Sequence, residues 1–183
     1  RSTQPELMDD FRGGLNRLRT VFDDINRVNR ILGGNSITIN AVANLIKYNP
    51  KEKYTIVDMG CGDGNMLREV ATFCRKNEIK VTLIGIDLNE EALQLAKEAS
   101  NTYPEITYRL KDILQLNTRD FHCDILLSTL CMHHFTDTQL VVFLKKYVIP
   151  LKPSAKQPQP KVVSLSLPVG KHLLKNLMKL KQA

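Results

Sequence analysis

The segment Asp58-Met59-Gly60-Cys61-Gly62-Asp63-Gly64 places three glycines at alternate positions, between a short β-branched run and a stretch of helical spacing. Glycines at Gly60, Gly62 and Gly64 leave no side chains in the way, so a ligand can approach the backbone and lie against the N-terminus of the following helix. Asp58 precedes the turn and points to a positively charged ligand group rather than a pyrophosphate. A second acid, Asp87, ends the next apolar run, 25 residues after Gly62. A carboxylate there can accept both hydroxyls of a ribose. Read separately, the glycines could be a tight turn and Asp87 a helix cap; together they describe a nucleoside-binding edge. A nicotinamide fingerprint calls for another glycine three residues after Gly62, where Asn65 stands, which disfavours a nicotinamide-dependent oxidoreductase.

A second group of reactive side chains follows further on, in Ser128-Thr-Leu-Cys-Met-His-His-Phe-Thr-Asp. His133 and His134 are candidate general bases because an imidazole titrates close to working pH. The alternative is that one packs in the loop and the other is solvated. Cys131 with this pair, and Cys61 at the end of a neighbouring strand, raises a metal reading, but the ligands are too few and wrongly spaced for a closed zinc site. No metal is expected.

Elements that position these groups follow from periodicity. Leu15, Leu18, Phe22, Ile25, Val28 and Leu32 recur at three- and four-residue steps and predict a helix ended by Gly33-Gly34. A second helix is expected from Ser36 to about Tyr48, stopped by Asn49-Pro50. Strands are expected at Tyr54–Met59, Val81–Ile86, Ile106–Leu110 and Cys123–Thr129, with helices after the first, second and fourth. The first has Leu67, Val70, Ala71 and Cys74 inward; the second is capped by Asn89. The last runs from Thr138 to Val148 with Leu140, Val141, Leu144 and Val148 inward. Apolar strands alternating with helices call for a parallel sheet covered on both faces: the α/β, doubly wound class. Four prolines between Pro150 and Pro160 mark a loop, after which Lys161–Leu167 can form a fifth strand and Lys171–Lys181 an amphipathic helix.

The pattern Asp58-x-Gly60-x-Gly62-x-Gly64 followed by Ile86-Asp87 resembles the class I, Rossmann-like, S-adenosylmethionine-dependent methyltransferases, over roughly Val28 to Val148. The resemblance implies that Gly60, Gly62 and Gly64 hold the methionine part of S-adenosyl-L-methionine, with Asp58 near its amino group. It implies that Asp87, with Leu88 beside it, holds the ribose, and that Asp112 with Ile113 meets the adenine. Ser128 completes the cofactor set, and His133 and His134 are the catalytic candidates. The Ser128–Asp137 segment is similar to that of small-molecule methyltransferases, including those of quinone biosynthesis. The opening ten residues and Ile25–Gly34 also resemble a bacterial subgroup of this superfamily. The chain lacks the Asn- or Asp-Pro-Pro-aromatic element of many methylases acting on nucleobase amines, so a small-molecule acceptor is expected over nucleic acid. In such proteins the sheet has seven strands, and the C-terminal strands here are expected to be truncated or divergent.

The division implied is residues 1–50 as a helical lid on the acceptor side and 51–183 as the cofactor-binding domain. A methyltransferase-like scaffold without turnover remains the alternative. The 183 residues suit one core, and 43% apolar with 25% charged residues is ordinary globular composition. The net charge of +7 is concentrated in a lysine-rich segment after Lys145, which reads as a solvated edge rather than a nucleic-acid or membrane patch. No apolar stretch is long enough to cross a bilayer and no secretory signal opens the chain, so the cytoplasm, with four reduced cysteines, is the expected compartment.

Overall fold

A computed structural model describes residues 14–116, 123–129, 131–147 and 161–165. Its centre is β1 (Tyr54–Met59), whose alternation serves two faces at once: Tyr54 and Ile56 enter one apolar layer, Val57 and Met59 the other. Strand β2 (Val81–Asp87) pairs parallel to β1 from Tyr54↔Val81 to Met59↔Ile86, and β3 (Ile106–Leu110) lies parallel beyond it. On the other side β4 (Ile125–Thr129) pairs with β1, and β5 (Lys161–Leu165) with β4, both parallel. The order is therefore β3-β2-β1-β4-β5. The chain leaves β1 in one direction for β2 and β3, and returns to its other flank for β4. That reversal opens a crevice beyond the carboxyl ends of β1 and β4, where ligands of doubly wound sheets gather.

Helices α2 (Gly34–Tyr48) and α3 (Asn65–Lys76) cover one face, and α5 (Asp137–Tyr147) the other. The inner stripe of α3 is Leu67, Val70, Ala71 and Cys74, all fully buried. Each such leucine or valine contributes about 1.5–3 kcal/mol relative to exposure. Helix α4 (Glu90–Ala99) starts at Asn89, whose side chain accepts from Ala92 N–H at 3.0 Å, the cap that the sequence predicts. Tyr54 hydroxyl reaches the carbonyl of Asn49 at 2.8 Å, which sets the C-terminus of α2 at the start of β1.

Two inward assignments are corrected. On α5 the buried stripe is Leu140, Phe143 and Tyr147, with the Phe143 ring 5.6 Å from that of Phe135 and 4.9 Å from that of Tyr147. Val141, one step round from Leu140, is 41% exposed; the three-and-four-residue stripe turns it outward. On α1 (Gly14–Ile31), Leu18 and Phe22 are buried against Ala92 and Leu95 of α4, whereas Val28 and Leu32 are exposed because α4 is met only by the first half of the helix. The proline-rich loop, Val148 and the helix expected at Lys171–Lys181 lie outside the described residues. Among the described residues no helix is long and apolar enough to cross a membrane.

Candidate active site

The glycine turn follows β1 directly and is fastened to the end of β2. Gly60 and Cys61 N–H groups both donate to the Ile86 carbonyl, at 2.8 and 3.1 Å, and Gly62 N–H donates to Asp87 Oδ2 at 2.8 Å. The other Asp87 oxygen accepts Asn89 N–H at 2.9 Å. One carboxylate thus joins the glycine turn to the start of α4, a job that periodicity and spacing do not reveal. Lys111 N–H donates to the Asp87 carbonyl at 3.0 Å, bringing the segment after β3 to the same edge.

Why glycine is needed here differs from the sequence expectation of open space for a ligand. A Cβ on Gly60 would lie 2.5 Å from Cys131 Sγ, and one on Gly62 would lie 2.9 Å from the Phe22 ring. At Gly64, and again at Gly85 within β2, the obstruction is the Tyr108 side chain. Gly60 and Gly62 also take φ of +75° and +53°, which side chains disfavour. The glycines therefore let three parts of the chain close on the turn: α1 through Phe22, β3 through Tyr108, and the segment after β4 through Cys131. Any ligand contact uses the backbone surface that these side chains leave.

Asp63, not singled out by the sequence reading, fixes the outer side of the turn. Its Oδ2 accepts Asn26 Nδ2 of α1 at 2.9 Å and forms an ion pair with Arg68 of α3 at 3.1 Å, while its Oδ1 accepts Asn65 N–H at 3.2 Å. Tyr108 hydroxyl is hydrogen-bonded to Ser100 Oγ at 2.8 Å. A polar residue facing a polar residue across 37 positions has no local sequence signature; the one available clue was Gly85, since a glycine inside a strand marks close approach of another group.

Asp58 is the electrostatic anomaly. It is 1% exposed, and among the described residues neither carboxylate oxygen has a hydrogen-bond partner. Burial foremost, then the charge of Asp87, raises its pKa from 3.8 to about 7. The same pair of acids reaches two thiols. Burial, reinforced by Asp58 and Asp87, holds Cys61 well above the usual thiol range, and burial with Asp87 and Asp58 pushes Cys131 up to about 12. Raised in this way, both thiols are poor nucleophiles.

Of the expected site residues, Asp58, Gly60, Gly62, Gly64 and Asp87 come together at the carboxyl end of the sheet. Leu88 is 70% exposed beside them. Asp112 follows β3, its carboxylate accepting Leu114 N–H at 2.9 Å and Gln115 Nε2 at 2.8 Å, and Ile113 is a buried core residue. Ser128 lies inside β4, buried, with its side chain toward the Cys131 thiol. His133 and His134 belong to a 3-10 turn, Met132–His134, entered from Cys131; His134 is exposed, and the side chain of His133 is outside the description.

An orphaned buried carboxylate suits a cofactor that carries an ammonium and a sulfonium. The methyltransferase domain family matches residues 56–154, which is more than half of the chain. The small RNA 2'-O-methyltransferase of Schizosaccharomyces pombe is 33% identical over 76 residues, 42% of this chain and 18% of that protein. The protein-lysine N-methyltransferase EFM4 of Saccharomyces cerevisiae is 33% identical over 90 residues, 48% of this chain and 38% of that protein. The chain thus spans well under half the length of these two relatives. Among solved structures, the plantazolicin methyltransferase BpumL, in complex with a pentazolic desmethyl analog and SAH, superposes with a TM-score of 0.54 at 20% identity, over 82% of this chain and 53% of that one. The matched family covers both the glycine turn and the histidine segment, and the parallel sheet is that of its solved neighbours: the chain belongs to the methyltransferase domain family and has the class I, S-adenosylmethionine-dependent methyltransferase fold.

Proposed function

We propose that the chain transfers a methyl group from S-adenosylmethionine to a small-molecule acceptor, at oxygen or carbon, in the cytoplasm. The observation that carries this reading is the buried Asp58 carboxyl group at the foot of the glycine turn, without a hydrogen-bond partner among the described residues, since a carboxyl group buried in this way ionises only when a cation meets it. Asp58 holds the amino group and Gly60, Gly62 and Gly64 the methionine part. Asp87, two of whose lone pairs are taken by backbone N–H groups, keeps the others for the ribose hydroxyls. The exposed Leu88 lies against the adenine, and Asp112 with Ile113 meets its amine. Ser128 supports the methionine end from within the sheet. Residues 1–50 form the lid on the acceptor side, with Phe22 and Asn26 on the turn itself.

When bound, the cofactor would supply an electrophilic methyl group on a sulfonium, to be taken in line by an acceptor lone pair with the carbon–sulfur electron pair leaving on sulfur. The protein's part is alignment and exclusion of water, so no covalent nucleophile is required. His133 or His134 takes the proton that an oxygen acceptor must lose. The acceptor proposed is a phenol or quinol of the kind methylated in quinone biosynthesis.

The test is calorimetric titration with S-adenosylhomocysteine, followed by a labelled-methyl screen of phenols, quinols, fatty acids, small RNA and a lysine peptide. Binding with label on a phenol or quinol is the expected result. Label on RNA or peptide alone overturns the small-molecule acceptor; binding with no transfer to anything makes the chain a scaffold; no binding overturns the reading altogether.

A further inference from the structure

We propose that Asp58 holds a proton while the site lacks a ligand and gives it up when an ammonium group arrives, so that cofactor uptake by this chain is coupled to proton release. The inference rests on the reading above that the cofactor's amino group meets Asp58. Its basis is an asymmetry between two neighbouring acids. Asp87 has its charge supported by two backbone N–H donors, at 2.8 and 2.9 Å. Asp58 has none, although it is 1% exposed. In register it is flanked by Gly85 of β2 and Leu127 of β4, neither of which has a polar side chain to offer.

Among the described residues, the groups that face it from the surrounding elements add no positive charge. Asp87 faces it from the end of β2, Cys61 from the glycine turn and Cys131 from the segment after β4, the two thiols being neutral. Asp63, further along the turn, is paired with Arg68, which leaves that cation engaged elsewhere. Ionising Asp58 in this setting means burying a second, unsolvated negative charge beside the first, whereas protonation removes the cost. The pKa of about 7 agrees with this cluster geometry. An ammonium group reverses the balance: its charge favours the carboxylate, the proton passes to solvent, and the ammonium keeps its own protons.

The experiment titrates the whole chain with S-adenosylhomocysteine in two buffers of unlike ionisation enthalpy. The ligand's carboxyl stays ionised throughout, and any proton taken up by its amine toward pH 8.5 is common to parent and variant and is subtracted. Near pH 6 close to one proton should be released per ligand bound, falling toward zero by about pH 8.5, and affinity should rise about fivefold from pH 6 to 7 and about tenfold in all before levelling above pH 8. In Asp58→Asn the release disappears and affinity becomes independent of pH. An infrared difference spectrum needs no variant: ligand addition near pH 6 should remove a protonated-carboxyl band, which a histidine cannot produce. Binding without proton release, release that persists in a folded Asp58→Asn, or an unchanged carboxyl band overturns the proposal while leaving cofactor binding intact. Absence of binding overturns the functional reading, and this inference with it.

Discussion

Replacing Asp87 by alanine removes two hydrogen bonds at once, those from Gly62 N–H at 2.8 Å and Asn89 N–H at 2.9 Å. Bonds to a charged acceptor are worth about 1.5–3 kcal/mol each, and partial exposure of the site puts both at the lower end, giving a loss of about 3 kcal/mol. Part of this is returned, because the Asp87 charge helps to raise the pKa of Asp58 and its removal relieves that repulsion. A net loss of about 2 kcal/mol at neutral pH is expected. Urea denaturation measures it, and calorimetry with S-adenosylhomocysteine measures the ligand side separately. If Asp87 serves both the turn and the ribose, affinity in the folded variant falls by a further factor of about 10 to 100, equivalent to one lost charged hydrogen bond. Asp87→Asn keeps one acceptor oxygen but turns an amide N–H₂ toward a backbone donor, so it should recover little. Stability within about 0.5 kcal/mol of the parent, typical of an inconsequential surface change, would refute the tethering argument; unchanged affinity in a folded variant would refute the ribose assignment.

Asp58→Asn should change how stability depends on pH. A folded pKa raised from 3.8 to about 7 contributes stability that is fully present below pH 3.8 and lost as pH climbs to about 7, a swing of about 4 kcal/mol. Denaturation series from pH 4 to 8 on parent and variant should differ by that swing, and parallel curves would count against a buried, unpartnered carboxylate. Gly62→Ala is expected to cost about 1 kcal/mol for its φ of +53° and more for the 2.9 Å approach to Phe22. In a Phe22→Ala background the second part should vanish, and strict additivity in the double-mutant cycle would show that α1 does not press on the turn. His134→Gln or His133→Gln should lower turnover about 100- to 10,000-fold with cofactor affinity nearly intact if that residue is the base. Full turnover in both variants removes the pair from the mechanism.

The sequence by itself determined the class of fold and the place of the glycine turn between β1 and α3, because both depend on local pattern. Strand runs such as Tyr54–Met59 and Val81–Asp87 are apolar on both faces, the helices between them repeat every three to four residues, and turns favour glycine where φ is positive. Asn89 as a cap was readable for the same reason: its partner, Ala92, is three residues away. Which way Val141 and Val28 faced was not readable, since apolar spacing identifies a stripe but not how much of it a neighbour covers. Only tertiary structure decided that Phe22, Tyr108 and Cys131, distant in the chain, meet at Gly62, Gly64 and Gly60. It also decided that two acids of the same type differ. Asp87 was given donors by the turn it holds, and Asp58 was buried by β2, β4 and the glycine turn with none, a contrast set by three-dimensional neighbours that no spacing along the chain encodes.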